Sequence, residues 1–101
     1  MTDTIQQNNV HGIDRQRAAD FLWNETQGRI FTVYFRKADG DMRTMTCRRG
    51  VKSHLRGGQL PYDAKKKHLL PVFEMTPGQY RMVNLGTLVS FCVGGETFIV
   101  T

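Results

Sequence analysis

The chain has 101 residues, 40% of them hydrophobic and 23% charged, which suits one globular domain with a modest core and excludes two. Aromatic and β-branched residues from position 30 onward argue against a disordered chain, and the apolar runs are far too short to span a membrane. The net charge of +5 favours anionic partners such as nucleic acid, nucleotides or acidic protein surfaces.

Residues 1–12 are polar, with Gln6, Gln7, Asn8 and Asn9 in a row, and read as a flexible leader. They lack a basic stretch followed by an apolar one, so no secretory signal is expected and the setting is cytosolic. Residues 13–28 read as a short helix. Asp14 is a suitable N-cap, Ile13 and Ala18 have staple spacing, and Ala18, Phe21 and Leu22 recur as an apolar stripe. Gly28 is the expected stop. Trp23, near the helix end, either packs the helix onto the following domain or anchors a partner.

From residue 29 the apolar period changes from 3.6 to 2, and residues 29–101 read as a β domain. Phe31, Val33 and Phe35 fall on one face of the first strand, and Thr32, Tyr34 and Arg36 on the other. Asp39 and Gly40 mark a hairpin, after which Met45 and Cys47 alternate with Thr44 and Thr46. Asp39 and Asp41 could be taken as an acid–base pair, but Asp is the expected turn residue. Strand character returns over residues 69–75, where Pro71 implies an edge or a bulge. A Thr-Pro-Gly turn leads to a strand over 80–85, then a bend at Gly86, a buried strand over 88–93, and a last strand over 97–100 after Gly94 and Gly95. Five to six short strands with tight turns and one long loop predict a small antiparallel barrel preceded by a short helix. Cys47 and Cys92 lie in strand-like runs without a CxxC partner. Both are read as small core residues, with a disulfide or reactive thiol as the alternative.

The long loop, residues 48–68, carries the charge. Arg48, Arg49, Lys52, Arg56, Lys65, Lys66 and Lys67 stand against the single acid Asp63, a net +6, so the rest of the chain sums to −1. Val51 and Leu55 allow one helical turn between the glycines. Arginines such as Arg48, Arg49 and Arg56 suit bidentate phosphate contacts, whereas Lys65, Lys66 and Lys67 supply a diffuse field. Tyr62, between the two basic clusters, is placed to stack on a base. Tyr34 and Arg36 would extend that surface. The plainer reading makes the three lysines a solubilising run and Tyr62 a packing residue. His11, His54 and His68 are far apart, so no metal site is expected. Gly57 and Gly58 precede Gln59 and Leu60 and not Lys-Ser/Thr, so there is no P-loop. Ser53 and His54 are merely adjacent. No catalytic residue, cofactor or enzymatic activity is expected.

The segments FTVYFRKADGDMRTMTCRR and LLPVFEMTPGQYRMVNLGTLVSF, flanking the basic loop, resemble a small bacteriophage family described as a WYL-related, Sm-like SH3 β-barrel. That family's pattern is a hairpin ending in Arg-x-Met-x-Cys, a variable loop, Val-Phe-Asp, a Gly turn, Trp-Arg and a final strand. Arg43, Met45 and Cys47 match its first part, and Val72, Phe73, Gly78 and Arg81 its second. Glu74 stands in place of the Asp, and Tyr80 in place of the Trp. The resemblance covers roughly residues 30 to 92 and implies an SH3-like barrel of phage origin in the host cytoplasm. It adds nucleic-acid or nucleotide binding and self-assembly into rings or dimers as expectations by fold analogy. Two readings follow. One is a module that binds nucleic acid or a nucleotide-like anion through 48–68. The other is a host-takeover or anti-defence protein that binds a host protein through the same loop or Trp23, or sequesters a nucleotide signal.

Overall fold

The computed structural model describes residues 9–49 and 68–101. The elements are β1 (Val10–Ile13), α1 (Arg15–Asn24), β2 (Ile30–Arg36), β3 (Met42–Arg48), β4 (Leu69–Glu74), β5 (Gln79–Asn84), a 3-10 turn (Leu85–Thr87), β6 (Leu88–Val93) and β7 (Glu96–Val100). The strands form one mixed sheet in the order β1-β7-β6-β2-β3-β4-β5. Of these strands, β1 and β7 pair in parallel and the other pairs are antiparallel.

The connection from β5 to β6 forces this sheet to curl. Four steps of the sheet order separate these strands, about 19 Å if the sheet were flat. Yet Asn84 and Leu88 are joined by only three residues, a reach of about 14 Å at full extension. The curl wraps the core. Phe31, Val33 and Phe35 of β2, Met45 and Cys47 of β3, Leu70 and Val72 of β4, Val83 of β5, and Leu88, Phe91 and Val93 of β6 are all buried. α1 closes the core with Ala18 and Leu22, and its Phe21 ring lies 5.7 Å from Phe91 and 5.4 Å from Phe98. Arg15 fastens the helix to the 3-10 turn, its Nη1 donating to the carbonyls of Leu85 at 2.8 Å and Leu88 at 3.0 Å.

The fold is mainly β with one helix, as the alternation predicts. Among the described residues it has seven strands, not five to six, and hydrogen bonding between them does not close it: β1 and β5 stand at its ends. The extra strand is β1, whose residues overlap the stretch read as leader. Thr97 N donates to Asn9 O at 2.7 Å and Thr101 N to Ile13 O at 2.8 Å, so β1 covers the outer edge of β7. α1 is shorter than the 13–28 expected. Asp14 caps it, accepting from Arg17 N at 2.8 Å. It ends at Asn24, before Gly28, because buried Thr26 turns its hydroxyl onto Leu22 O at 2.6 Å. The run 88–93 is only half buried, since Val89 and Cys92 point to the outer face, which no described element covers. Cys92 is therefore exposed, and of the two cysteines only Cys47 is a core residue. The β6–β7 hairpin turns through Gly94 at φ +60° and Gly95 at φ +81°, the left-handed pair that a tight two-residue turn demands.

Candidate functional site

The strand alternation puts a charge where the core should continue. Inward positions of β4 are Leu70, Val72 and Glu74, and Glu74 is 95% buried, with a relative exposure of 5%. A buried carboxylate is tolerated only with partners. Two arginines supply them. Arg43 of β3 donates from Nη2 to Glu74 Oε2, and Arg81 of β5 donates from Nε to Oε1 at 3.1 Å. Each guanidinium uses one nitrogen on Glu74 and keeps its remaining donors. The Arg43 and Arg81 side chains are 29% and 42% exposed, so both reach solvent.

The cluster stands beside a cleft. β3 and β4 pair only through Cys47 with Glu74 and Arg48 with Phe73, extended by Met75 N donating to Thr46 O at 3.0 Å. β3 ends at Arg48, and Pro71, two residues before Phe73, has no N–H to donate to a ladder. The gap between the β2–β3 and β4–β5 hairpins is a cleft of about 320 Å³. Among the described residues its lining includes the cations Lys37, Arg43 and Arg81 and no acid. Phe35, Met45, Leu69 and Met82 make its apolar part, and Asn84 adds an amide.

The neighbouring titratable groups are structural. Burial first, and then the Glu74 carboxylate, push the Cys47 thiol up to about 12, so it stays protonated and inert. Asp39 Oδ1 accepts from Asp41 N at 2.9 Å, which with nearby Lys37 holds its carboxyl below the usual range, as a turn residue requires. Among the described residues no three His, Cys, Asp or Glu side chains converge to hold a metal ion. No helix among them is long and apolar enough to cross a membrane.

The residues expected to bind anions fare differently. Arg48 is exposed at the end of β3, where the basic loop departs. Arg49 is half-buried and engaged elsewhere: its Nη1 donates to Leu22 O at 3.1 Å and Trp23 O at 2.5 Å, and its guanidinium lies 4.7 Å above the Trp23 ring. It caps the carboxyl end of α1, and burial lowers its basicity. One of its nitrogens, Nη1, is thus committed to the helix end. Trp23 correspondingly packs against the core as the helix's anchor on the sheet. Tyr34 and Arg36 are on the outward face, where Arg36 Nη1 donates to Gly40 O at 2.8 Å across its own hairpin. Lys52, Arg56, Tyr62, Lys65, Lys66 and Lys67 lie outside the described residues, as does the helical turn expected at Val51 and Leu55. The loop returns to the sheet at His68, and the next residue, Leu69, lines the cleft.

Sequence reading missed the ion cluster. Its partners are 31 and 7 residues from Glu74, and no linear motif links them. The available signal was an acid at the third inward position of an alternating strand. No family model, curated protein or solved structure matches the chain.

Proposed function

We infer that this protein is a small non-enzymatic binding module that contacts nucleic acid or a nucleotide-like anion through its basic segment 48–68. The observation that carries this reading is the segregation of charge: +6 in that segment against −1 in the remainder. Phosphate neutralisation by clustered Arg and Lys, with counterion release, is the usual source of such affinity. The framework supports it by giving the segment two fixed ends, one at exposed Arg48 and one at the rim of a cationic cleft.

The reading extends to a Sm-like SH3 barrel of phage origin acting in the host cytoplasm. Its support is the sheet order. β2, β3, β4 and β5 form a consecutive meander and β6 returns to pair with β2, so a five-stranded unit has its last strand beside its first. The assembly of Arg43, Cys47, Glu74 and Arg81 around one point supports it too, since these are positions of the family pattern.

A second reading, direct binding to a host protein, is favoured by one observation. The outer sheet face carries Ile30, Tyr34, Met42, Val89 and Ile99 at 36–53% exposure. A mobility-shift assay with single-stranded oligonucleotide at low salt, paired with capture from host lysate with and without nuclease, separates the two. The first reading predicts a shifted oligonucleotide and captured material that nuclease releases. No shift at low salt, with a stoichiometric protein retained after nuclease, rejects it in favour of the second.

A further inference from the structure

We propose that the cleft between the β2–β3 and β4–β5 hairpins is a distinct site for a phosphomonoester of mononucleotide size. It does not rest on segment 48–68: a chain that shifts no oligonucleotide still binds such a ligand if the cleft works as argued.

Charge is the first ground. Lys37, Arg43 and Arg81 line the cleft, and among the described residues the carboxylates that contact them are Glu74 beneath and the exposed Asp39, which Lys37 approaches at 3.5 Å. Three cations against the carboxylates of Glu74 and Asp39 leave a charge of +1, an excess that favours a phosphate anion. Geometry is the second ground. Glu74 holds Arg81 by Nε alone, which orients the guanidinium and leaves its two terminal nitrogens as a fork for phosphate oxygens. The arginine is thereby positioned by a buried acid, not by the ligand, so little side-chain freedom is lost on binding.

Size and polarity are the third. About 320 Å³ lies at the small end of ligand sites, enough for one nucleotide and not for a polymer. Met45, Met82 and Phe35 present soft apolar surface to a base or similar flat group. Asn84 adds directionality. Its Oδ1 accepts from Gly86 N at 2.9 Å, which leaves its NH2 as the available donor.

The same chemistry occurs in a free mononucleotide and in the 5′-phosphate end of an oligonucleotide, and the test has an arm for each. The full chain is titrated, by calorimetry and by amide chemical shifts, with adenosine 5′-monophosphate, adenosine, and a tetranucleotide with and without its 5′-phosphate. The monophosphate is expected to move the amides of Arg43, Met45, Met82 and Asn84, with adenosine binding about tenfold or more weakly because the charge-assisted contacts are lost. Displacement of the monophosphate by the 5′-phosphorylated tetranucleotide alone identifies the end of a strand as ligand. Its failure to displace identifies the free nucleotide. Arg81→Gln should weaken monophosphate binding about tenfold. Lys37→Gln, remote from the Glu74 cluster and so harmless to folding, should weaken it severalfold. Arg17→Gln, an exposed charge on α1, should leave it within about twofold. Equal binding of adenosine and its monophosphate, no shift at 10 mM monophosphate (a concentration on the order of a weak site's Kd), or a Lys37→Gln variant indistinguishable from Arg17→Gln would overturn the proposal.

Discussion

Replacing Glu74 by Gln is the sharpest test of how the fold is held at the cleft. The substitution keeps shape and removes one charge. Glu74 accepts from two guanidiniums, and charge-assisted hydrogen bonds contribute roughly 1.5–3 kcal/mol each. The amide oxygen of Gln retains one acceptor at the ordinary value of about 1 kcal/mol, while its NH2 faces an arginine it cannot serve. The gross loss is then about 2–5 kcal/mol. Arg43 and Arg81 are 29% and 42% exposed, so they recover hydration and the net cost falls to about 2–3 kcal/mol. For a domain of this size that is a fall in Tm of roughly 10–20 °C. Urea unfolding followed through Trp23, the only tryptophan, reads it, with the slope m unchanged if only the folded state is affected. Arg81→Gln should cost less, about 1 kcal/mol, because Arg43 still neutralises the acid. The double variant should cost less than the sum of the singles. A Glu74→Gln loss below about 0.5 kcal/mol would refute the reasoning, because a buried, doubly paired carboxylate cannot be that indifferent to its charge.

Two further outcomes follow from single side chains. Exposed Cys92 should react with a thiol reagent at pH 8 in the folded protein while Cys47 does not, so native and urea-unfolded chains should differ by one label. The same raised Cys47 group predicts a pH dependence: stability is intact below pH 9, where the unfolded thiol is neutral, and declines as pH rises from 9 towards 12 because only the unfolded state ionises. A Cys47→Ala chain should not show that component. Arg49→Ala removes two bonds to the carboxyl end of α1 and the guanidinium over Trp23, at about 2 kcal/mol, with a change in Trp23 emission and hydrogen exchange in α1. Unchanged emission and exchange would contradict the capping role.

The β2–β3 hairpin was fully legible because its two strands are clean alternations joined by Asp39 and Gly40, and one face is buried while the other meets water. The β5–β6 connection was partly legible. Gly86 signals a bend, but only the tertiary curl makes Leu85 part of a buried 3-10 turn instead of a strand. β1 was not legible. VHGI has two apolar residues and a glycine, and it is a strand because β7 offers it an edge. Cys92 misled because an apolar run reads alike whether one face or two are covered. Arg49 and Arg48 are adjacent in sequence and indistinguishable there; the helix carbonyls that engage Arg49 arrive from 26 and 27 residues away. Glu74, Arg43 and Arg81 look like unrelated surface charges until the strands that carry them are bent around one point.

The claim that segment 48–68 grips phosphates is tested most directly by the salt dependence of oligonucleotide binding. For single strands log K falls with log salt at about −0.7 per phosphate neutralised. With Arg49 engaged in the fold, up to six cations of the segment remain, which bounds the slope at about −4. Replacing Lys65, Lys66 and Lys67 together by Ala should make the slope shallower by about 2. A wild-type slope near zero, or one that the triple substitution leaves unchanged, would contradict the account.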